Sequence, residues 1–131
     1  MEDPARAIDL AQRAIATTPE DHPNRATSLS SLSRLLQQRF ERTRSIEDLD
    51  EAIHLARRAI TIPGDHPFQA ILLDNLSRSL RQKYEITRSI GDLHEAIDHM
   101  RSAIDTTPAD HPNQAILLSN LRRYIHDSKA L

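Results

Sequence analysis

Apolar residues recur along this chain in steps of three and four, the spacing that puts side chains on one face of an α-helix. One kind of segment carries Ala26, Leu29, Leu32, Leu36 and Phe40, and returns as Ala70, Leu73, Leu76, Leu80 and Tyr84. It returns again as Ala115, Leu118, Leu121 and Ile125. A second kind alternates with it: Ala7, Ile8, Ala11, Ala14 and Ile15, then Leu49, Ala52, Ile53, Ala56, Ala59 and Ile60. Its third copy is Leu93, Ala96, Ile97, Met100, Ala103 and Ile104. No stretch shows the strict alternation of a strand. Proline opens the first kind of segment, where its missing N–H is harmless, and closes the second, where it breaks the hydrogen-bond ladder. Ser45 with Asp48, and Ser89 with Asp92, have the spacing of a capping box. These signals predict helices over 4–17, 23–42, 46–61, 67–87, 90–106 and 112–128.

The same punctuation reveals a repeat. Asp-His-Pro occurs at 21–23, 65–67 and 110–112, spaced 44 and then 45 residues. Ala-Ile pairs at Ala7, Ala52 and Ala96 keep step, and the middle copy is one residue shorter just before its Asp-His-Pro. A deletion tolerated there marks a surface loop. The chain divides into a partial repeat 1–20, repeats 21–64 and 65–109, and a terminal half-repeat 110–131, within one helical repeat domain 1–131. Alanines at equivalent points (Ala7, Ala14, Ala52, Ala59, Ala96, Ala103) let helix backbones approach closely while Leu and Ile fill the remaining space. One helix pair cannot bury its own stripe. The expected fold is therefore all-α: six antiparallel helices in three pairs, stacked as an α-solenoid.

Composition narrows the function. The 131 residues carry a net charge of −2, without the basic excess of a nucleic-acid binder. Cysteine is absent, which removes disulfides and thiolate metal sites. No apolar run nears the ~18 residues of a membrane span, and the acidic start Met1-Glu2-Asp3-Pro4 lacks the apolar stretch of a signal peptide. The expected location is the cytoplasm, with neither membrane nor nucleic acid as partner.

Seven histidines raise the question of a metal. His22, His66 and His111 stand at equivalent points of successive repeats, roughly a helix diameter or more apart, whereas zinc draws its ligands to about 2 Å. They read as helix-start residues. His94 and Asp98 share a face at i,i+4, but two weak ligands make no site. The serines at 28–33 lack the Gly-x-Ser-x-Gly of a nucleophile elbow. Glu47, Asp48, Asp50 and Glu51 are favourable charges at a helix N-terminus. No catalytic residue, metal or cofactor is expected.

Asp50-Glu51-Ala52-Ile53 with Ala56, Ala59 and Pro63 resembles the second helix of a tetratricopeptide repeat (TPR), and Leu76-Ser77 with Leu80 resembles the first. The period departs from the usual 34, with extra residues at 39–46 and 83–90 and around Asp-His-Pro. Long periods with a His-Pro helix start resemble the kinesin-light-chain class. Arg39-Phe40-Glu41-Arg42-Thr43 and Asp48-Leu49-Asp50-Glu51-Ala52-Ile53 resemble long arrays in mushroom-forming fungi, where such arrays accompany CHAT or nucleotide-binding immune-type domains. The resemblance implies a protein–protein interaction module whose first helices line a concave groove. It places there three recurring sets: Arg34, Arg78 and Arg123; Ser31, Asn75 and Asn120; Gln38 and Gln82.

Arginine grips carboxylates, often bidentately, and amides bond both sides of a peptide backbone. The implied ligand is a protein or peptide segment with acidic residues, although Asp74 among these positions argues against a purely acidic one. The alternative is that these arginines pair with neighbouring acids on a solvated face. The phase, from a second-type helix to a first-type one, suits an excerpt of a longer array or a short chain that self-associates through its terminal helices. The polar last helix, with Arg122, Arg123, His126, Asp127 and Lys129, suits a cap.

Overall fold

The computed structural model describes residues 4–19, 22, 24–61 and 66–129. Six helices follow in chain order: α1 Pro4–Thr17, α2 Arg25–Thr43, α3 Ile46–Thr61, α4 His66–Thr87, α5 Ile90–Thr106 and α6 Asn113–Lys129. The described residues contain no strand. The all-α architecture of paired helices expected from the apolar steps is observed, with ends within a few residues of the periodicity's prediction. The chain forms two compact units, Met1–Gly64 and Asp65–Leu131.

In the first unit α2 packs on both α1 and α3. The predicted stripe is buried: Leu29, Leu32, Leu36 and Phe40 meet Leu49, Ala52, Ile53, Ala56 and Ala59, all at most 5% exposed. The second unit repeats this with Leu73, Leu76, Leu80 and Tyr84 against Leu93, Ala96, Ile97, Met100 and Ala103. The alanines do allow close approach. Ser33 Oγ donates to the Ala52 carbonyl at 2.6 Å, and Ser77 Oγ donates to the Ala96 carbonyl at the same distance. A larger residue at either end of that bond would push the helices apart. The third copy carries Arg122 at this point, exposed to solvent.

The third copy of the stripe departs from expectation. Ala115 and Leu118 are exposed and Leu121 and Ile125 half-buried, whereas Leu117 and Tyr124 are buried. Helix α6 packs on α5, and its buried Leu117 and Tyr124 turn toward Asp74 and Arg81 of α4. The expected stripe is the face that α2 and α4 turn to the helix after them.

The extra residues between paired helices form a recurring corner. Thr43-Arg44-Ser45-Ile46 and Thr87-Arg88-Ser89-Ile90 each place the arginine in the left-handed region, at φ 61° and 59°. The N–H of Arg44 reaches the Phe40 carbonyl at 2.6 Å, and that of Arg88 reaches Tyr84 at 2.7 Å, which satisfies a carbonyl the helix end would leave open. Each guanidinium lies 5.5 Å from the ring centroid of the same aromatic residue. Thr43 Oγ1 donates to the Arg39 carbonyl and accepts from the Ser45 N–H; Thr87 does the same with Lys83 and Ser89. Arg39 then clasps Asp48 across the corner with two 2.8 Å bonds.

The capping boxes are a correction. Ser89 makes no side-chain cap bond, and in both corners the serine contributes its carbonyl, to Asp48 and Asp92 respectively. Its hydroxyl is unnecessary because the preceding threonine already holds the turn.

The Asp-His-Pro segments lie partly outside the described residues, including Asp21, Pro23 and Asp65. Where described, histidine acts as a helix-start residue. His22 Nδ1 accepts the Asn24 N–H at 3.1 Å, and His111 Nδ1 accepts that of Asn113 at 3.0 Å. Pro63 also lies outside the described residues.

Candidate functional site

On α2 the expected polar positions alternate with core. Arg34 and Gln38 are exposed, as is Ser31, while Leu32, Ser33, Leu36 and Gln37 between them are buried. The helix period alone separates these sets: three residues carry the chain from Ser31 to Arg34, and four from Arg34 to Gln38. Within the second unit, α4 presents Arg78 exposed and Gln82 half-buried. Asn75 is only 5% exposed, so its amide faces the packed side more than solvent. On α6 Arg123 is exposed and donates to Asn120 Oδ1 at 3.2 Å.

Helices α4 and α6 are joined by a bridge the sequence reading did not include. Arg81 donates from Nη2 to Asp127 Oδ2 at 2.7 Å and from Nε to the same oxygen at 3.1 Å, and also pairs with Glu85 one turn away. Burial works against the charge on Arg81, but the bond to Asp127 and the charge of Glu85 outweigh it and hold its pKa above the ordinary value. The guanidinium also lies 5.2 Å from the Tyr124 ring centroid, with Arg123 at 6.0 Å. Arg81 and Asp127 stand 46 residues apart, close to one repeat period. That spacing was the signal available in the sequence: first-type helices one period apart are neighbours within this unit.

Tyr124 is the centre of the cluster. Burial raises its pKa, and so does Asp74, while Arg81, Arg123 and Arg78 lower it. Arg81 and Arg123 both lie within reach of its ring. Asp74 itself titrates above the usual carboxylate value because it is desolvated, with Arg78 pulling the other way. Its Oδ1 is buried and has no hydrogen-bond partner.

Beside Asp74 a cavity of about 180 Å³ opens between α4 and α6, lined also by Ala70, Ile71, Asn113, Ile116 and Leu117. A second space of about 280 Å³ shares Ala70, Ile71, Thr107 and Asn113 and extends to Pro108 and His111. The rim is apolar: Ile71 is 50% exposed and Ile116 59%.

His94 and Asp98 line an open depression with Arg101 and Ile125, whereas His99 pairs with Glu95 at 3.2 Å. Among the described residues no three His, Cys, Asp or Glu side chains converge as metal ligands, and no helix is long and apolar enough to cross a membrane.

The chemistry these surfaces offer is recognition: guanidiniums, amides and one desolvated carboxylate on helix faces, beside small cavities. No curated protein matches the chain. Residues 25–67, from the start of α2 through α3 to the first residues of α4, match the tetratricopeptide repeat family, whose repeats generally mediate protein–protein interaction or scaffolding.

Proposed function

We propose that the chain is an interaction module whose first-type helices take a peptide or partner segment. Each unit presents its own polar grip: Arg34 and Gln38 on α2 in the first, and Asn75, Arg78 and Gln82 on α4 with Asn120 and Arg123 on α6 in the second. One observation carries this reading. Arg34, Arg78 and Arg123 occupy the same repeat position and all three are exposed. In the first two copies the residue just before is a fully buried serine that bonds to the next helix. A core position and a solvent-facing cation thus recur side by side. The guanidinium suits partner carboxylates. The amides suit a peptide backbone, with Asn75 contributing least because it is buried.

The long 44–45-residue period supports membership in the long-period class, and Arg39-Phe40-Glu41-Arg42-Thr43 with Asp48-Leu49-Asp50-Glu51-Ala52-Ile53 supports a place among arrays of the fungal kind. The absence of cysteine fits a reducing cytoplasm.

A displayed peptide library selected on the full chain provides the ligand, and calorimetry then compares variants. Arg34→Glu with Arg123→Glu should weaken binding of a selected peptide at least tenfold, since each replaced charge-assisted bond contributes ~1.5–3 kcal/mol. The thermal midpoint of Arg34→Glu alone should not change, because Arg34 is exposed, whereas Arg123 also bonds Asn120 and lies over Tyr124. A library that returns no binder, or affinity indifferent to both substitutions, contradicts the proposal. Arg78 is less suitable for this test: its charge offsets the desolvation of Asp74, so reversing it disturbs the fold as well.

A further inference from the structure

We infer that the cleft between the N-terminal halves of α4 and α6 seats one basic side chain, arginine or lysine, of the bound polypeptide, with its methylenes on Ile71 and Ile116 and its cationic head on Asp74. The inference rests on the peptide-binding reading above and deepens it, because it assigns the ligand a basic residue beside the acidic ones that Arg78 and Arg123 would take.

Three observations converge. The first is the carboxylate. Asp74 lines the cavity, and its Oδ1 is buried without a partner. A desolvated acceptor left unpaired is costly, and turning the carboxylate toward the cleft would let an incoming N–H donor remove that cost. Arg78 attracts this carboxylate, but it is exposed and its attraction is outweighed by burial.

The second is charge. Asp74 is the only charged residue of 69–77, and 105–113 contains Asp105 and Asp110 but no Lys or Arg. The positive end of the α6 dipole lies at Asn113, yet it amounts to roughly half a charge against the full charge of Asp74. Arg78, Arg81 and Arg123 stand farther along these helices, with Arg81 already paired to Asp127 and Glu85, while the charged residue that lines the cleft itself is Asp74, so a cation entering there meets a carboxylate.

The third is shape. Spaces of about 180 and 280 Å³ fall below the roughly 300–1,000 Å³ of small-molecule sites. Each suits a single side chain. Exposed Ile71 and Ile116 flank the entrance, and long basic side chains cover apolar surface with their methylenes while the head finds a polar partner.

The test uses the full chain, isotopically labelled, titrated with butylguanidinium and separately with butyrate, and followed by amide and methyl NMR shifts. Butylguanidinium should move the signals of Ile71, Asp74 and Ile116 in a saturable way, and butyrate should not. Asp74→Asn should weaken butylguanidinium about tenfold. Ile116→Lys, at an exposed position, should abolish it by supplying the cation from within the chain. That second variant decides the matter if Asp74→Asn perturbs the fold. Equal response to both probes, or affinity unchanged in Asp74→Asn and Ile116→Lys, overturns the inference. If library peptides bind but tolerate Leu at every basic position, and butylguanidinium moves nothing, the basic seat fails while the peptide-binding reading stands. A saturable butylguanidinium response with no peptide binder gives the reverse.

Discussion

Asp74 and Asp48 are carboxylates of the same repeat protein with opposite physics. Burial raises the pKa of Asp74, so the folded chain holds that proton more readily than the unfolded one. Stability then falls as pH rises from the ordinary value of 3.8 through the raised one. Asp48 is lowered, chiefly by its hydrogen bond to Arg39. Its contribution is present above the unfolded value and is lost as pH falls through the folded one. Asp74→Asn should therefore raise the urea midpoint at pH 7, with the gain vanishing in acid. Asp48→Asn should lower it at pH 7, with the loss vanishing in acid. Urea melts at pH 7 and pH 3 decide, and a shared sign for the two variants would contradict the assignment.

Two serines make a second pair. Ser77 donates to the Ala96 carbonyl from a fully buried position, while the Ser79 hydroxyl is buried without a partner. Ser77→Ala should cost about 1 kcal/mol, and Ser79→Ala should be neutral or stabilising. The Leu76-Ser77 step was legible in the sequence as a likeness to the first helix of a repeat. Which serine bonds was not, because that depends on how closely the Ala96 backbone approaches.

At the scale of the element, the corner between paired helices is the informative unit. A left-handed L-residue costs roughly 1–2 kcal/mol, and the arginines at 44 and 88 bear that cost. Their compensation is the N–H bond to the carbonyl four residues back and the stacking on Phe40 or Tyr84, which at exposed sites contributes about 0.5–1 kcal/mol. Arg88→Gly relieves the backbone and loses the stacking, so it should fall within about 1 kcal/mol of the parent. Arg88→Val keeps the strain, adds a β-branched clash and should lose more than 1 kcal/mol. A thermal-melt comparison of the two separates backbone from side-chain effects, and equal losses would mean that stacking alone matters.

Sequence patterning located this corner as extra residues between helices but assigned its hydrogen bonds to a serine capping box. Nothing in apolar spacing reports φ, and an arginine is not the residue that normally announces a left-handed turn. Helix α6 shows the same limit. Its apolar steps were read by analogy with α2 and α4, yet a first-type helix has two packing faces, and only the packing within this unit reveals that Leu117 and Tyr124, turned toward Asp74 and Arg81 of α4, are the buried ones.

For the molecule as a whole, the repeat was the strongest signal. Recurrence of Asp-His-Pro and Ala-Ile fixed six helices and their order, because every two-helix unit must hide the same apolar stripe. The candidate surface was half legible. Periodicity placed Arg34, Arg78 and Arg123 together in register, and all three are exposed. It missed Arg81, Asp127 and Tyr124, whose bridge from α4 to α6 joins side chains on two helices that repeat spacing does not by itself orient. It also placed Asn75 among the lining residues without its burial.

The most direct test of the account is to map a library-selected peptide on the isotopically labelled chain. Shifts should concentrate on the first-type helices, at Arg34 and Gln38, at Arg78 and Gln82, and at Asn120 and Arg123. Shifts confined instead to the outward faces of the second-type helices, at Asp50, His54 and Arg57 on α3 or His94 and Asp98 on α5, would contradict it.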